Sequence, residues 1–170
     1  DADLSSTQAY ITRWVEHEMA KNKVTGLSLA LVDDQHIIWA QGFGFADVEH
    51  GIPASADTLY RVGSISKLFT ATAAMQLAER GQLEIDLSIQ HYLPAFAPRA
   101  AQPPVTITPR LLMTHHSGLP RDLLKGFQTP QPQPFAALVD DIAGQPLAYA
   151  PGLVFSYSNV GISILGAVVQ

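Results

Sequence analysis

The chain has 170 residues, a formal net charge of −5 and no Cys; 47% of its residues are hydrophobic and 15% are charged. One domain is the expectation at this length, with about 70% of the unfolded surface available for burial. The composition excludes a disordered chain, the mild acidity without a Lys/Arg run leaves no footprint for nucleic acid, and no uninterrupted apolar stretch is long enough to span a membrane.

Asp1-Ala2-Asp3-Leu4 carries neither a basic nor an apolar leader region, so a secretory signal was either removed or never present. Ser5-Ser6-Thr7-Gln8 resembles a capping box. It opens a helix running to about Asn22, with Ile11, Trp14, Val15 and Met19 on one face. Leu27 to Val32 alternates as a strand does, Asp33-Asp34-Gln35-His36 reads as a turn, and Ile37 to Ala40 returns as a second strand of a hairpin. Gly42-Phe43-Gly44-Phe45 continues it, the glycines pointing to a close backbone approach or a bulge. Asp47 to Asp57 reads as loop, and Leu59 to Val62 as a short extended run.

From Val62 to Ala78 the only ionisable side chain is Lys67, and the sequence is apolar nearly all the way round a helix, which predicts a buried helix ending at Arg80-Gly81. Beyond it come a helical turn near Ser88–Tyr92 and a Pro/Ala-rich connection over 94–104. A short helix is capped by Thr108-Pro109, with His115-His116 in its last turn and Gly118 at its end. Gln128–Pro134 reads as loop; Phe135, Leu138, Val139 and Ile142 have helical spacing closed by Gly144; Pro151-Gly152 is a turn; and Val160 to Gln170 reads as an apolar helix.

Lys67 is costly at the start of that central helix, because the helix end carries partial positive charge and an apolar setting favours the neutral amine. A neutral amine three residues after Ser64 is a base beside a nucleophile, on one helix face, with backbone N–H groups at hand for a developing oxyanion. The plainer alternative is that Ser64 caps the helix and Lys67 snorkels to the surface. Tyr157-Ser158-Asn159 is the second candidate: a phenol can act as a base where a cation lowers its pKa, and Asn159 offers a donor and an acceptor. Here the alternative is a packed Tyr with Ser158 or Asn159 as an N-cap. The six His (17, 36, 50, 91, 115 and 116) form no metal-binding spacing, and His115-His116 suit a helix end better than ligation. No Gly-x-Ser-x-Gly elbow surrounds any Ser.

The segment Leu59-Tyr60-Arg61-Val62-Gly63-Ser64-Ile65-Ser66-Lys67-Leu68-Phe69-Thr70-Ala71 resembles the nucleophile region of the serine β-lactamase and penicillin-binding protein superfamily. Leu111 to Pro120 resembles a second hallmark segment of its class C β-lactamase-like branch, and Tyr157-Ser158-Asn159 matches that branch's Tyr-x-Asn motif. The similarity runs from about Val24 to the end. It implies an α+β, transpeptidase-like fold in which an antiparallel sheet packs with helices, beside a helical subdomain: residues 1–62 would carry the first helix and strands, and 63–170 the mostly helical region. It also implies roles. Ser64 would be the acylated nucleophile, and its backbone N–H half of the oxyanion hole. Lys67 would accept or relay the proton. Tyr157 would shuttle protons to the leaving group, and Asn159 would bind a substrate amide and orient Lys67. No cofactor or metal is implied. The acyl donor would be a β-lactam, a peptide or an ester, and the setting periplasmic, secreted or cell-envelope.

The family's third motif, Lys or His followed by Thr/Ser-Gly on a strand lining the site, does not follow Asn159 before Gln170. The expectation is therefore a domain lacking its C-terminal strands, accompanied by a further segment or a second copy. The alternative to an acyl-serine hydrolase is an inactive fragment or a binding module on the same fold.

Overall fold

The structure is a computed structural model and describes residues 4–99, 106–123 and 134–170; the expected connection over 94–104 and the loop over 128–134 lie partly or largely outside them. The chain divides into two compact units, residues 1–61 and 62–170.

The first unit holds helix α1 (Ser5–Asn22) and strands β1 (Gly26–Asp33), β2 (His36–Asp47) and β3 (Ile52–Pro53), in the antiparallel order β1-β2-β3. The N-cap position of α1 falls on Leu4, which has no side-chain oxygen, so the helix does not open on the expected capping box. Val15 is buried as predicted, but Trp14, expected on the same face, is 56% exposed. The β1–β2 hairpin closes through the two residues Asp34 and Gln35. Asp33 pairs with His36, and a bulge shifts the register between Leu31 and Val32.

The glycines of β2 mark a close approach: a Cβ on Gly42 would collide with the Ala54 carbonyl. That approach accompanies β3, which occupies part of the stretch expected as loop, pairing Pro53 with Phe45 and Ile52 with Asp47. Residues 59–62 form no strand; Tyr60 is instead tied to β1 by a 2.8 Å hydrogen bond between its Oη and Ser28 Oγ.

The second unit is helical. A 3-10 turn at Gly63–Ile65 runs into α2 (Ser66–Glu79), followed by α3 (Ile89–Tyr92), α4 (Pro109–Met113), α5 (Phe135–Ile142) and α6 (Asn159–Val169). Helix α6 packs against α2, α4 and α5. Its Ile164 and Leu165 are fully buried, in one cluster with Ile89, Phe96, Leu112 and Ile142. Each such side chain contributes about 1.5–3 kcal/mol by leaving water.

Two helix starts follow their sequence signals. Thr108 Oγ1 accepts the Leu111 N–H at 3.3 Å ahead of Pro109, and Ser158 Oγ accepts the Gly161 N–H at 2.8 Å. Helix α2 departs from expectation. Only Ala74 is buried, while Leu68 and Phe69 are 68% and 72% exposed. Among the described helices of this unit α6 is its main neighbour, and one neighbour covers one face of a helix whose sequence is apolar on all of them.

Candidate active site

Gly63, with φ of 53°, turns the chain into the 3-10 turn that carries Ser64, and α2 begins two residues later with Lys67 in its first turn. The i, i+3 relation brings the two side chains together: Lys67 Nζ donates to Ser64 Oγ at 3.1 Å. Ser64 does not serve as a side-chain cap of either helical segment. Tyr157, 93 positions later, donates its phenolic O–H to the same Oγ at 2.7 Å. Lys67 Nζ also stands 5.0 Å from the centre of the Tyr157 ring, and Arg121 Cζ 5.7 Å from it. Ser64, Lys67 and Tyr157 thus meet at one oxygen atom.

The electrostatics follow from this geometry. The hydrogen bond from Lys67 is the largest influence on Tyr157, followed by that with Ser64; the charges of Lys67 and Arg121 add to them. Together they hold the phenol below its ordinary pKa of 10.0 against the opposing effect of desolvation. A phenol so placed is a better proton acceptor near neutrality than a free one.

Asn159 is the first residue of α6. Its backbone N–H donates to the Arg121 carbonyl at 2.8 Å, and its Nδ2 donates to Asp122 Oδ1 at 2.6 Å. A carboxylate only accepts, so the pairing fixes which end of the amide faces Asp122 and leaves Oδ1 turned the other way. The Asp122 carboxylate also sits beside a helix N-terminus, where negative charge is favoured. In this structure the Asn159 amide is thus anchored through Nδ2 on Asp122.

His115 departs most from its expected place. Helix α4 stops at Met113, and His115 follows it with φ of 59°, outside the helix rather than in its last turn. Its ring lies 4.5 Å from the Tyr157 ring at 36°, and its Nδ1 accepts the Ser158 N–H at 3.2 Å. Burial first, then the charge of Lys67 and then His116, push its pKa below the ordinary 6.5. His116 keeps a local role at the helix end, its Nδ1–H donating to the Thr114 carbonyl at 2.7 Å. The sequence signals for His115 and Asp122 were slight: the first lies inside the quoted Leu111–Pro120 segment without a role, and the second is an ordinary Asp in a loop.

Among the described residues no three His, Asp or Glu side chains cluster as a metal site would require, and no helix is long and apolar enough to cross a membrane.

The sequence profile of the Beta-lactamase family matches residues 11–170. Protein flp of Staphylococcus aureus is 29% identical over 167 residues, which is 98% of this chain and 34% of that protein. Among solved structures, EstCE1, described as a hydrolase with promiscuous acyltransferase activity, superposes with a TM-score of 0.83 at 26% identity, covering 98% of this chain and 47% of that one. A β-lactamase/D-alanine carboxypeptidase from Pseudomonas syringae gives 0.78 at 28% identity, over 97% and 44% of the two chains. A class C β-lactamase gives 0.80 at 27% identity, over 99% and 45%. The chain thus spans about a third of the length of the curated relative and less than half of these structural ones. With its antiparallel sheet, its helices and this profile match, the chain belongs to the Beta-lactamase family, with the β-lactamase/transpeptidase-like fold.

Proposed function

We propose that this chain carries the nucleophile half of a serine hydrolase that works through an acyl-enzyme. The carrying observation is the convergence of Lys67 Nζ and Tyr157 Oη on Ser64 Oγ, at 3.1 and 2.7 Å. Acyl transfer needs an activated nucleophile, a proton path and an anion site, and the three side chains supply the first two. Ser64 Oγ attacks the acyl carbon and loses its proton to the Lys67 amine or the Tyr157 phenolate, both within reach. The charge that develops on the acyl oxygen faces the Ser64 N–H at the N-terminal end of the helical run. The Ser64 proton then passes by way of Tyr157 to the leaving nitrogen or oxygen, and water attacks the ester carbon, its proton going back through the same groups to Ser64 Oγ as the acid and the free serine separate. Asn159 receives a substrate amide N–H on its Oδ1, the end of the amide turned away from Asp122.

The acyl donor is a β-lactam, a D-alanyl peptide or an ester, and by family resemblance the setting is the periplasm, the cell envelope or outside the cell. The test is to offer a chromogenic cephalosporin, a fluorescent penicillin and a short-chain nitrophenyl ester to the protein and to its Ser64→Ala variant. Rapid cephalosporin turnover marks a β-lactamase, a long-lived penicillin adduct a penicillin-binding protein, and preference for the ester an esterase. Each signal is expected to vanish in Ser64→Ala, and turnover that survives the substitution refutes the reading.

A further inference from the structure

His115 takes up the backbone N–H groups on both sides of Tyr157. The Ser156 N–H donates to the His115 carbonyl at 2.8 Å, and the Ser158 N–H donates to the His115 ring at Nδ1. The same turn continues the lacing, with Gly152 N–H donating to the His116 carbonyl and Ala148 N–H to the Gly118 carbonyl, both at 2.8 Å. The left-handed backbone of His115 makes this possible, because it aims a carbonyl and a ring from one residue at the same segment. The imidazole then lies against the Tyr157 ring, while Lys67 Nζ and Arg121 stand at longer range from that ring.

We propose that His115 is the positioning residue for Tyr157: a neutral imidazole, protonated on Nε2, whose Nδ1, carbonyl and ring hold the phenol on Ser64 Oγ. An Nδ1 that accepts an N–H cannot itself carry the proton, which sets the tautomer. Protonation would turn Nδ1 into a donor facing the Ser158 N–H and break that bond. Among the described residues the charged and titratable groups around the ring are Lys67 of α2, His116 of the same turn and Tyr157, with Arg121 beyond the phenol; burial and the positive charge of Lys67 both favour the neutral form. The consequence for chemistry is one of aim, since a displacement of about an ångström at reacting atoms can cost on the order of a hundredfold in rate.

The kinetic arm of the test rests on the acyl-serine reading; the spectroscopic arm does not. His115→Asn keeps an acceptor for the Ser158 N–H, tolerates the left-handed backbone and does not titrate; His115→Phe keeps a ring and loses the acceptor. Nitrogen NMR of the wild type should show Nδ1 unprotonated at neutral pH. Carbon NMR of labelled Tyr should show Tyr157 ionising below 10.0, and moving up toward that value in His115→Phe.

Acylation of Ser64 should fall about tenfold or more in His115→Phe and by no more than about fivefold in His115→Asn, the range between a lost and a retained alignment. The wild-type rate, which already declines with the base form of Tyr157 as pH drops, should fall more steeply below the ordinary histidine value of 6.5, an added acid limb that His115→Asn lacks. A proton on Nδ1 in the wild type, an unmoved Tyr157 titration in His115→Phe, or the same acid limb in His115→Asn each overturn the proposal. Should His115→Phe fail to fold, the wild-type tautomer and the Asn variant still decide. Should the wild type show no acyl adduct at all, the acyl-serine reading fails, and the two NMR measurements still judge the positioning.

Discussion

Replacing Tyr157 with Phe removes one hydroxyl and leaves the ring. The ring keeps its 4.5 Å contact with His115 and its place beneath Lys67 and Arg121, so the fold loses only an exposed hydrogen bond to Ser64, about 1 kcal/mol. The effect on chemistry is larger, because the same hydroxyl lies 2.7 Å from the nucleophile and completes the proton path. Proton transfer by a positioned group contributes about 10²–10⁴-fold, or roughly 3–5.5 kcal/mol of barrier at 1.36 kcal/mol per decade.

The pH dependence has a definite sign. Tyr157 is an acid whose pKa is depressed below 10.0, so its base form grows as pH rises through that lowered value, and wild-type acylation should rise with it. The assay is stopped-flow acylation by a penicillin or an activated ester across a pH series, with a thermal melt of the variant as control for the fold. Acylation of Tyr157→Phe within about threefold of wild type, or the same high-pH rise in the variant, would refute the reasoning, since general acid–base catalysis is worth at least about a hundredfold.

Lys67→Arg preserves the charge but not a group able to give up its proton, and is expected to leave acylation near the level of Lys67→Ala; near-normal rates would show that position 67 supplies charge alone. Ser158→Ala removes the acceptor for the Gly161 N–H and the donor to the Pro120 carbonyl at 2.7 Å. The lost cap and the orphaned carbonyl together cost about 2 kcal/mol, measurable by urea denaturation, and a loss under about 0.5 kcal/mol would contradict the capping role. Gly118 has φ of 74°, and a Cβ there would collide with the Tyr149 carbonyl, so Gly118→Ala should lower the melting temperature of the protein by several degrees; an unchanged melt would mean that the 115–118 turn is not pinned to the segment before Tyr157.

Signals that act over a few residues were legible in the sequence. The Thr108-Pro109 start of α4, the Ser158 cap of α6, the β1–β2 hairpin and the left-handed Gly81 after α2 all stand where local chemistry put them. So did the i, i+3 register of Ser64 and Lys67, which any helical run imposes. What was not legible depends on partners far away in the chain. The two residues of β3 include a Pro and are a strand only because β2 runs beside them. The exposure of α2 depends on how many helices surround it, which its own apolar sequence cannot say. The meeting of Tyr157 with Ser64 across 93 positions came from family resemblance and not from spacing. His115 was misplaced because a helix ending at Met113, before both histidines, and followed by a left-handed turn, sends its ring in another direction altogether. Asp122 became visible only as the partner of the Asn159 amide.

The central claim is that the oxygen shared by Lys67 and Tyr157 is the nucleophile, and it is tested most directly by locating the acyl group. The protein is exposed to a penicillin or a phosphonate ester, digested, and mapped by mass spectrometry, with Ser64→Ala treated in parallel. The account predicts a single adduct on the peptide carrying Ser64 and none on the variant. An adduct on Ser66 or Ser158 with Ser64 unmodified, or equal labelling of Ser64→Ala, would contradict it.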